Sequence, residues 1–282
     1  MPYADQLAIT VFRDVATALA EDVGTGDLTA RLIADGSPAR GRVITREDAV
    51  LCGTDWFEAC FLSLDREATI IWHKNDGDAL QEGEALCDIH AHARALLTAE
   101  RAALNFLQLL SATATITRRF VDAVAGTGAK IVDTRKTLPG LRMAQKYAVK
   151  VGGGCNHRIG LYDGVLIKEN HIIAAGGITA ALARAEKIAP SNVFIQVEVE
   201  TLSELREALD AGAKMILLDN MTIAEMREAV AITGKRAELE ASGGVSLDRV
   251  RAIAETGVHR ISIGSLTKDV RAIDLSLRHV ES

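Results

Sequence analysis

Val193-Phe-Ile-Gln-Val-Glu-Val199, a helical stretch, Lys214-Met-Ile-Leu-Leu-Asp219, a second helical stretch, and then Arg236-Ala-Glu-Leu-Glu-Ala-Ser242: this alternation decides the fold. Each run is short and carries a polar residue at or next to its C-terminal end, at Glu198, Asp219 and Ser242, and the first two are largely apolar, as buried strands are. Strands joined through helices run parallel, because the crossover returns the chain to the starting edge. The same rhythm extends outward through Lys130-Ile-Val-Asp133, Asp163-Gly-Val-Leu-Ile-Lys168 and Arg260-Ile-Ser-Ile-Gly264. The polar ends at Lys168, Glu198, Asp219, Ser242 and Gly264 lie 30, 21, 23 and 22 residues apart, close to one β/α unit each. That spacing predicts a parallel α/β barrel with its chemistry on the C-terminal rim. An open doubly wound sheet is the alternative, disfavoured because no glycine-rich dinucleotide loop follows the first strand.

The first third of the chain reads as a separate α/β unit. An amphipathic helix through Ile9–Leu19 ends at Gly24 and Gly26, where Asp27 or Thr29 can cap the next segment. This Gly-x-Gly comes after a helix rather than a strand, so a nucleotide loop is disfavoured. Strand-like runs at Gly41–Thr45 and Ala68–His73 flank a helix-like Trp56–Leu64, and a long helix is expected from Ala93 to about Ala114. Arg101 projects at the margin of that helix's apolar arc. His90 and His92 have no third ligand near them in sequence and read as surface or interface histidines.

Composition narrows the function. Of 282 residues 48% are hydrophobic, enough for a full core, and no apolar run approaches the ~20 residues of a membrane span. The N-terminal residues lack the pattern of a signal peptide, and a cytoplasmic location is the expectation. Cys52, Cys60, Cys87 and Cys155 are scattered and read as reduced thiols. Between Lys130 and His171 there are eight Lys/Arg against three Asp/Glu, in a chain whose net charge is −6. A local cationic patch in an acidic chain argues for a small polyanion held in a pocket rather than for nucleic acid.

The rim residues divide that site. Ser242-Gly-Gly244 and Gly264-Ser265 end consecutive strands, and glycine there exposes backbone N–H groups to a phosphate. Glu198 and Asp219 end neighbouring strands and suit sugar hydroxyls or Mg²⁺, although Asp219 also precedes a helix and suits an N-cap. Arg135 and Arg158 offer forks for carboxylates, Lys136 and Lys168 offer point charges for phosphate oxygens, and His157 adjoins them.

Taken together, Glu21-Asp-Val-Gly-Thr-Gly-Asp-Leu-Thr29, Glu100-Arg-Ala-Ala-Leu-Asn-Phe-Leu107, Asp133-Thr-Arg-Lys-Thr-Leu-Pro-Gly140, Asn156-His-Arg158, Leu166-Ile-Lys-Glu-Asn-His171, Glu198-Val-Glu200, Leu218-Asp-Asn220 and Glu240-Ala-Ser-Gly-Gly244 resemble the quinolinate phosphoribosyltransferase family. The resemblance runs nearly end to end. It implies an incomplete TIM-like α/β barrel over 116–270 and an N-terminal α/β sandwich over 1–115 that takes in the tail 271–282. It also implies a homodimer or a higher assembly, with Arg101 reaching the partner's site. The implied reaction converts quinolinate and phosphoribosyl pyrophosphate to nicotinate mononucleotide, pyrophosphate and CO₂, in de novo NAD biosynthesis with Mg²⁺.

By the same resemblance Arg101, Arg135, His157 and Arg158 hold the two quinolinate carboxylates, and Thr134 lines their pocket. Lys136 and Lys168 contact quinolinate or pyrophosphate, while Glu198 and Asp219 meet the ribose hydroxyls and the metal, directly or through water. These four are the expected catalytic residues. Ser242, Gly243, Gly244, Ile263, Gly264 and Ser265 bind the 5′-phosphate. Leu266-Thr-Lys-Asp269 departs from the Leu-Thr-His-Ser of many family members, so Lys268 replaces a histidine. Three alternatives stay open: a Schiff-base lyase using Lys168, a paralogue associated with molybdate transport, and a non-catalytic metabolite-binding protein on the same scaffold.

Overall fold

The structure, a computed structural model, describes residues 3–280. Two compact units divide it: one of residues 1–116, 138–153 and 268–282, the other of 117–137 and 154–267. The first unit opens with α1 (Tyr3–Val23) and continues through β1 (Pro38–Thr45), β2 (Ala49–Val50), α2 (Thr54–Leu64), β3 (Thr69–Trp72), β4 (Ala79–Leu80) and β5 (Ala85–His92). Alternation along β1, where Gly41, Val43 and Thr45 are buried and their neighbours more open, marks a sheet with one covered face. Its core includes Trp56, Phe57, Phe61, Leu107 and Leu110, all fully buried. Each such side chain contributes about 1.5–3 kcal/mol on leaving water.

α3 (Ala93–Ala123) is longer than the sequence suggests and carries the chain from the first unit into the second. The second unit contains β6 (Lys130–Val132); after α4 (Arg142–Val151), which belongs to the first unit, come β7 (Gly164–Ile167), α5 (Glu169–Ala175), α6 (Ile178–Ile188), β8 (Phe194–Val199), α7 (Leu202–Asp210), β9 (Met215–Asp219), α8 (Ile223–Thr233), β10 (Glu238–Ser242), α9 (Leu247–Ala254) and β11 (Arg260–Ser262). A short α10 (Ser265–Lys268) comes next, and β12 (Leu275–His279) returns to the first unit, giving the antiparallel order β12-β1-β5-β3.

The parallel sheet has the order β6-β11-β10-β9-β8-β7. The order marches from β7 to β11 and then meets β6, without the reversal of a doubly wound sheet. No pairing joins β6 to β7 among the described residues, so the barrel is incomplete. Thr201 with Glu204 and Thr222 with Glu225 form capping boxes that start α7 and α8 directly after their strands. Residues 138–153, expected from the sequence within the 116–270 barrel, pack instead in the first unit: Tyr147 donates to Asp76 at 2.8 Å and its ring lies 5.5 Å from that of Trp56. Among the described residues no helix is long and apolar enough to cross a membrane.

Candidate active site

Register places the polar residues of the second unit on one face. Glu198 pairs with Leu217, Leu217 with Glu240, Glu240 with Arg260, and Asp219 with Ser242. Paired residues of parallel strands share a face, as do residues two apart, so Gln196, Glu198, Asp219, Glu240, Ser242, Arg260 and Ser262 lie together. His157 reaches both Gln196 on β8 and Glu240 on β10, strands separated by β9, which identifies this face as the barrel interior.

The first cations come directly after β6. Asp133 is fully buried and accepts hydrogen bonds from Asn156 Nδ2 at 2.7 Å and the His157 backbone N–H at 2.8 Å, fixing the 155–157 segment beside the strand end. Thr134 Oγ1 accepts from the Lys136 N–H at 3.0 Å, so this threonine shapes the turn that carries Arg135 and Lys136. The backbone oxygen of Lys136 accepts from Thr267 Oγ1 at 2.8 Å. Its side chain lies against Gly264, where a Cβ would come within 2.9 Å of Lys136 Cδ. The cationic turn and the second glycine loop are thus one cluster, and Ile263 is tied to β6 by its N–H to Val132 O at 2.9 Å.

Arg158 donates from Nη1 to Gly164 O at 3.0 Å. Burial and then the neighbouring Arg135 guanidinium hold its pKa below the usual arginine value, against a smaller opposing effect of Asp163. Two guanidinium groups near each other in a partly buried place favour an anion between or beside them. His157 is arranged differently. Nδ1 accepts the Arg158 N–H at 2.8 Å, so in this geometry the ring proton sits on Nε2, 2.8 Å from Gln196 Oε1. Both ring nitrogens are engaged within the unit, and the ring packs edge-on against Phe194 at 5.3 Å.

Lys168 begins the turn into α5, its backbone N–H donating to His171 Nδ1 at 3.0 Å. Its half-exposed ammonium lies 3.3 Å from Glu198 Oε2. That pairing is the reverse of a lysine nucleophile, which needs a desolvated amine or a cationic neighbour. Asp219 accepts from Asn220 Nδ2 at 2.8 Å, and the Asn220 N–H donates to Ser242 O at 3.0 Å. Gly243 and Gly244 both have left-handed backbones, with φ of 100° and 55°.

Beneath this rim lies a polar stratum not anticipated from the sequence. Glu240, 1% exposed, has a carboxylate oxygen 3.5 Å from Arg260 Nε and 3.7 Å from His157 Nε2. Gln196 is fully buried beside it. The signal was legible: Gln196 and Glu240 stand two residues before Glu198 and Ser242, on strand faces where a barrel usually places branched aliphatics.

Arg101 and Lys268 belong to the first unit. Arg101 is exposed and lines a cleft of about 430 Å³ with Arg13, Asp14, Glu21, Asp22 and Asn105. Lys268 lies 3.8 Å from Asp269, both largely exposed.

An incomplete parallel barrel whose rim gathers arginines, lysines, two carboxylates and two glycine loops defines a barrel enzyme for small polyanions. Residues 27–111 match the family description "Quinolinate phosphoribosyl transferase, N-terminal domain" and residues 113–278 match its C-terminal domain, so the chain belongs to that family. It is 44% identical to a probable carboxylating nicotinate-nucleotide pyrophosphorylase of Bacillus subtilis (strain 168), with 91% of this chain and 89% of that one aligned. The carboxylating nicotinate-nucleotide pyrophosphorylase of Mycobacterium leprae (strain TN) is 43% identical, over 93% and 95% of the two chains. Among solved structures, the nicotinate-nucleotide pyrophosphorylase from Francisella tularensis superposes with a TM-score of 0.93 at 44% identity, covering 97% of each chain.

Proposed function

We propose that this chain is a quinolinate phosphoribosyltransferase, converting quinolinate and phosphoribosyl pyrophosphate to nicotinate mononucleotide, pyrophosphate and CO₂. The observation that carries the reading from the site is the Arg135–Arg158 pair: buried Asp133 accepts the His157 N–H at 2.8 Å, so the segments bearing Arg135 and Arg158 adjoin each other, and after burial the Arg135 charge is what most disfavours that of Arg158. A dicarboxylate offsets that repulsion and uses both forks.

In this reading Arg135 and Arg158 bind the quinolinate carboxylates beside Thr134, and His157 supports them by fixing the Arg158 backbone. Lys136 and Lys168 attract the pyrophosphate. Ser242, Gly243, Gly244, Ile263, Gly264 and Ser265 cradle the 5′-phosphate, and Lys268 adds a cation to it. Glu198 and Asp219 face the ribose. The quinolinate nitrogen attacks C1′ as the bond from C1′ to the pyrophosphate oxygen breaks, and positive charge developing on the ribose is favoured by the two carboxylates. As CO₂ leaves, the pair of the broken carbon–carbon bond stays on the ring carbon beside the nitrogen, stabilised there by the nitrogen's new positive charge, and that pair then takes a proton from solvent. No general base is required; the protein's main task is to hold two mutually repelling anions in line.

Glu198 and Asp219 supply hard oxygen donors at the ends of neighbouring strands. This fits Mg²⁺, which commonly takes one or two carboxylates and completes its shell with water and substrate phosphates. When bound, the ion neutralises charge on the departing pyrophosphate.

We place Arg101 in the partner's site of a homodimer. Mixing Arg101→Ala with Lys136→Ala subunits then restores one intact site per heterodimer; absence of recovery removes Arg101 from that role. The reaction is tested by pyrophosphate and nicotinate mononucleotide formation from quinolinate with Mg²⁺, with nicotinate as control. Equal turnover of nicotinate would refute the two-carboxylate clamp.

A further inference from the structure

Among the described residues Asn220 is the non-glycine residue with a left-handed backbone, φ 55°. Asparagine tolerates that region better than most residues, yet glycine would occupy it with no steric cost. The side chain explains why glycine is not used. Nδ2 donates to Asp219 Oδ2 at 2.8 Å, while the backbone N–H donates to Ser242 O at 3.0 Å. The amide also lies over Gly243: a Cβ there would collide with Oδ1, come within 2.7 Å of Cγ and approach the Asn220 backbone nitrogen to 3.0 Å. One residue therefore touches the carboxylate that ends β9 and the glycine loop after β10.

From this geometry we infer that Asn220 is a positioning residue for phosphoribosyl pyrophosphate, setting the Asp219 carboxylate and the Ser242–Gly244 loop as one unit. The inference rests on the function proposed above. An amide can do this where an acid cannot. Its Nδ2 neutralises one lone pair of Asp219 without adding charge, whereas aspartate at 220 would set two carboxylates against each other. The left-handed backbone is what brings the short side chain back over its own strand end, and such conformations persist where surrounding contacts over-determine them.

Two variants keep the backbone accessible. Asn220→Gly preserves the φ and removes the amide; Asn220→Asp preserves the shape and reverses the donor. Binding of phosphoribosyl pyrophosphate with Mg²⁺ is measured by calorimetry, and KM for each substrate by steady-state assay. The expected result is a loss of about tenfold in phosphoribosyl pyrophosphate affinity for Asn220→Gly, the size of one charge-assisted hydrogen bond. Asn220→Asp loses more, and KM for quinolinate stays within twofold in both. Unchanged affinity in Asn220→Gly, or equal losses for both substrates, overturns the inference while leaving the proposed function standing. If the unsubstituted protein itself binds no phosphoribosyl pyrophosphate, the functional reading fails and takes this inference with it.

Discussion

Replacing Arg158 by methionine separates the demands of stability from those of binding. Arg158 spends one N–H of five on Gly164 O, at 3.0 Å, leaving the rest of the fork for a ligand. Burial and the nearby Arg135 both disfavour its charge in the free protein. Removing that charge relieves this penalty but forfeits the bond to Gly164, and the two effects oppose each other, so the ligand-free thermal midpoint changes little. Binding, by contrast, weakens. Two charge-assisted hydrogen bonds at about 1.5 kcal/mol each total about 3 kcal/mol, which is roughly 100-fold in Kd. At quinolinate equal to 100 times the original Kd, stabilisation falls from about 2.7 kcal/mol to about 0.4 kcal/mol. In a thermal-shift series with and without quinolinate, the ligand-induced shift thus drops to roughly one-sixth. A retained shift, or a ligand-free midpoint several degrees lower, would make Arg158 a structural residue and refute the clamp.

Three further outcomes rest on the same geometry. Lys168→Ala breaks a half-exposed pair with Glu198 and should change stability by less than about 1 kcal/mol while lowering kcat at least tenfold; urea titration and initial rates check both, and undiminished kcat removes Lys168 from the chemistry. Glu240→Leu leaves Arg260 facing the barrel interior without its carboxylate and should cost about 3 kcal/mol in denaturant unfolding, whereas Glu240→Leu with Arg260→Leu should recover much of it; additive losses would show that the two side chains do not act as a pair. Asp65 accepts the His92 N–H, the main cause of its lowered pKa, with the Glu67 N–H and the His92 ring adding to it. Its folded value lies below its unfolded one, so its contribution is present above about pH 4 and is lost as pH falls through the folded value. The midpoint gap between the unsubstituted protein and Asp65→Asn should narrow from pH 7 to pH 3; a constant gap contradicts the assignment.

The barrel was legible because its evidence is local. Each strand from Lys130 onward shows its own aliphatic run and polar end, and the observed β6 to β11 fall within those runs. The partition of the chain was less legible. Arg142–Val151 is an amphipathic helix after a barrel strand, and alternation alone reads it as a barrel helix. Its association with the first unit comes from Tyr147 meeting Asp76 and Trp56, contacts across about 70 and 90 residues of sequence that no periodicity reports. His157 was legible as a site neighbour but not in its orientation. The family resemblance gave it a contact with the quinolinate carboxylates, and the ring's partners within the chain, the Arg158 N–H and Gln196, depend on a loop conformation set by buried Asp133 that no local pattern reports. Asn220 stands beside Asp219 in Leu218-Asp-Asn220, but its part in the site was not legible, because a left-handed backbone leaves no mark in composition.

The stratum of buried Gln196 and Glu240 with part-buried Arg260 also constrains how this protein can change over generations. An aliphatic barrel interior can drift one residue at a time, since neighbouring sizes compensate for each other. Here the loss of Arg260 alone leaves the buried Glu240 without its guanidinium, the loss of Glu240 alone leaves a part-buried guanidinium without its carboxylate, and only a concerted change restores neutrality. Sequences that diverge in the rest of the barrel should thus keep both members or replace both, making this pair a linked character rather than two independent sites.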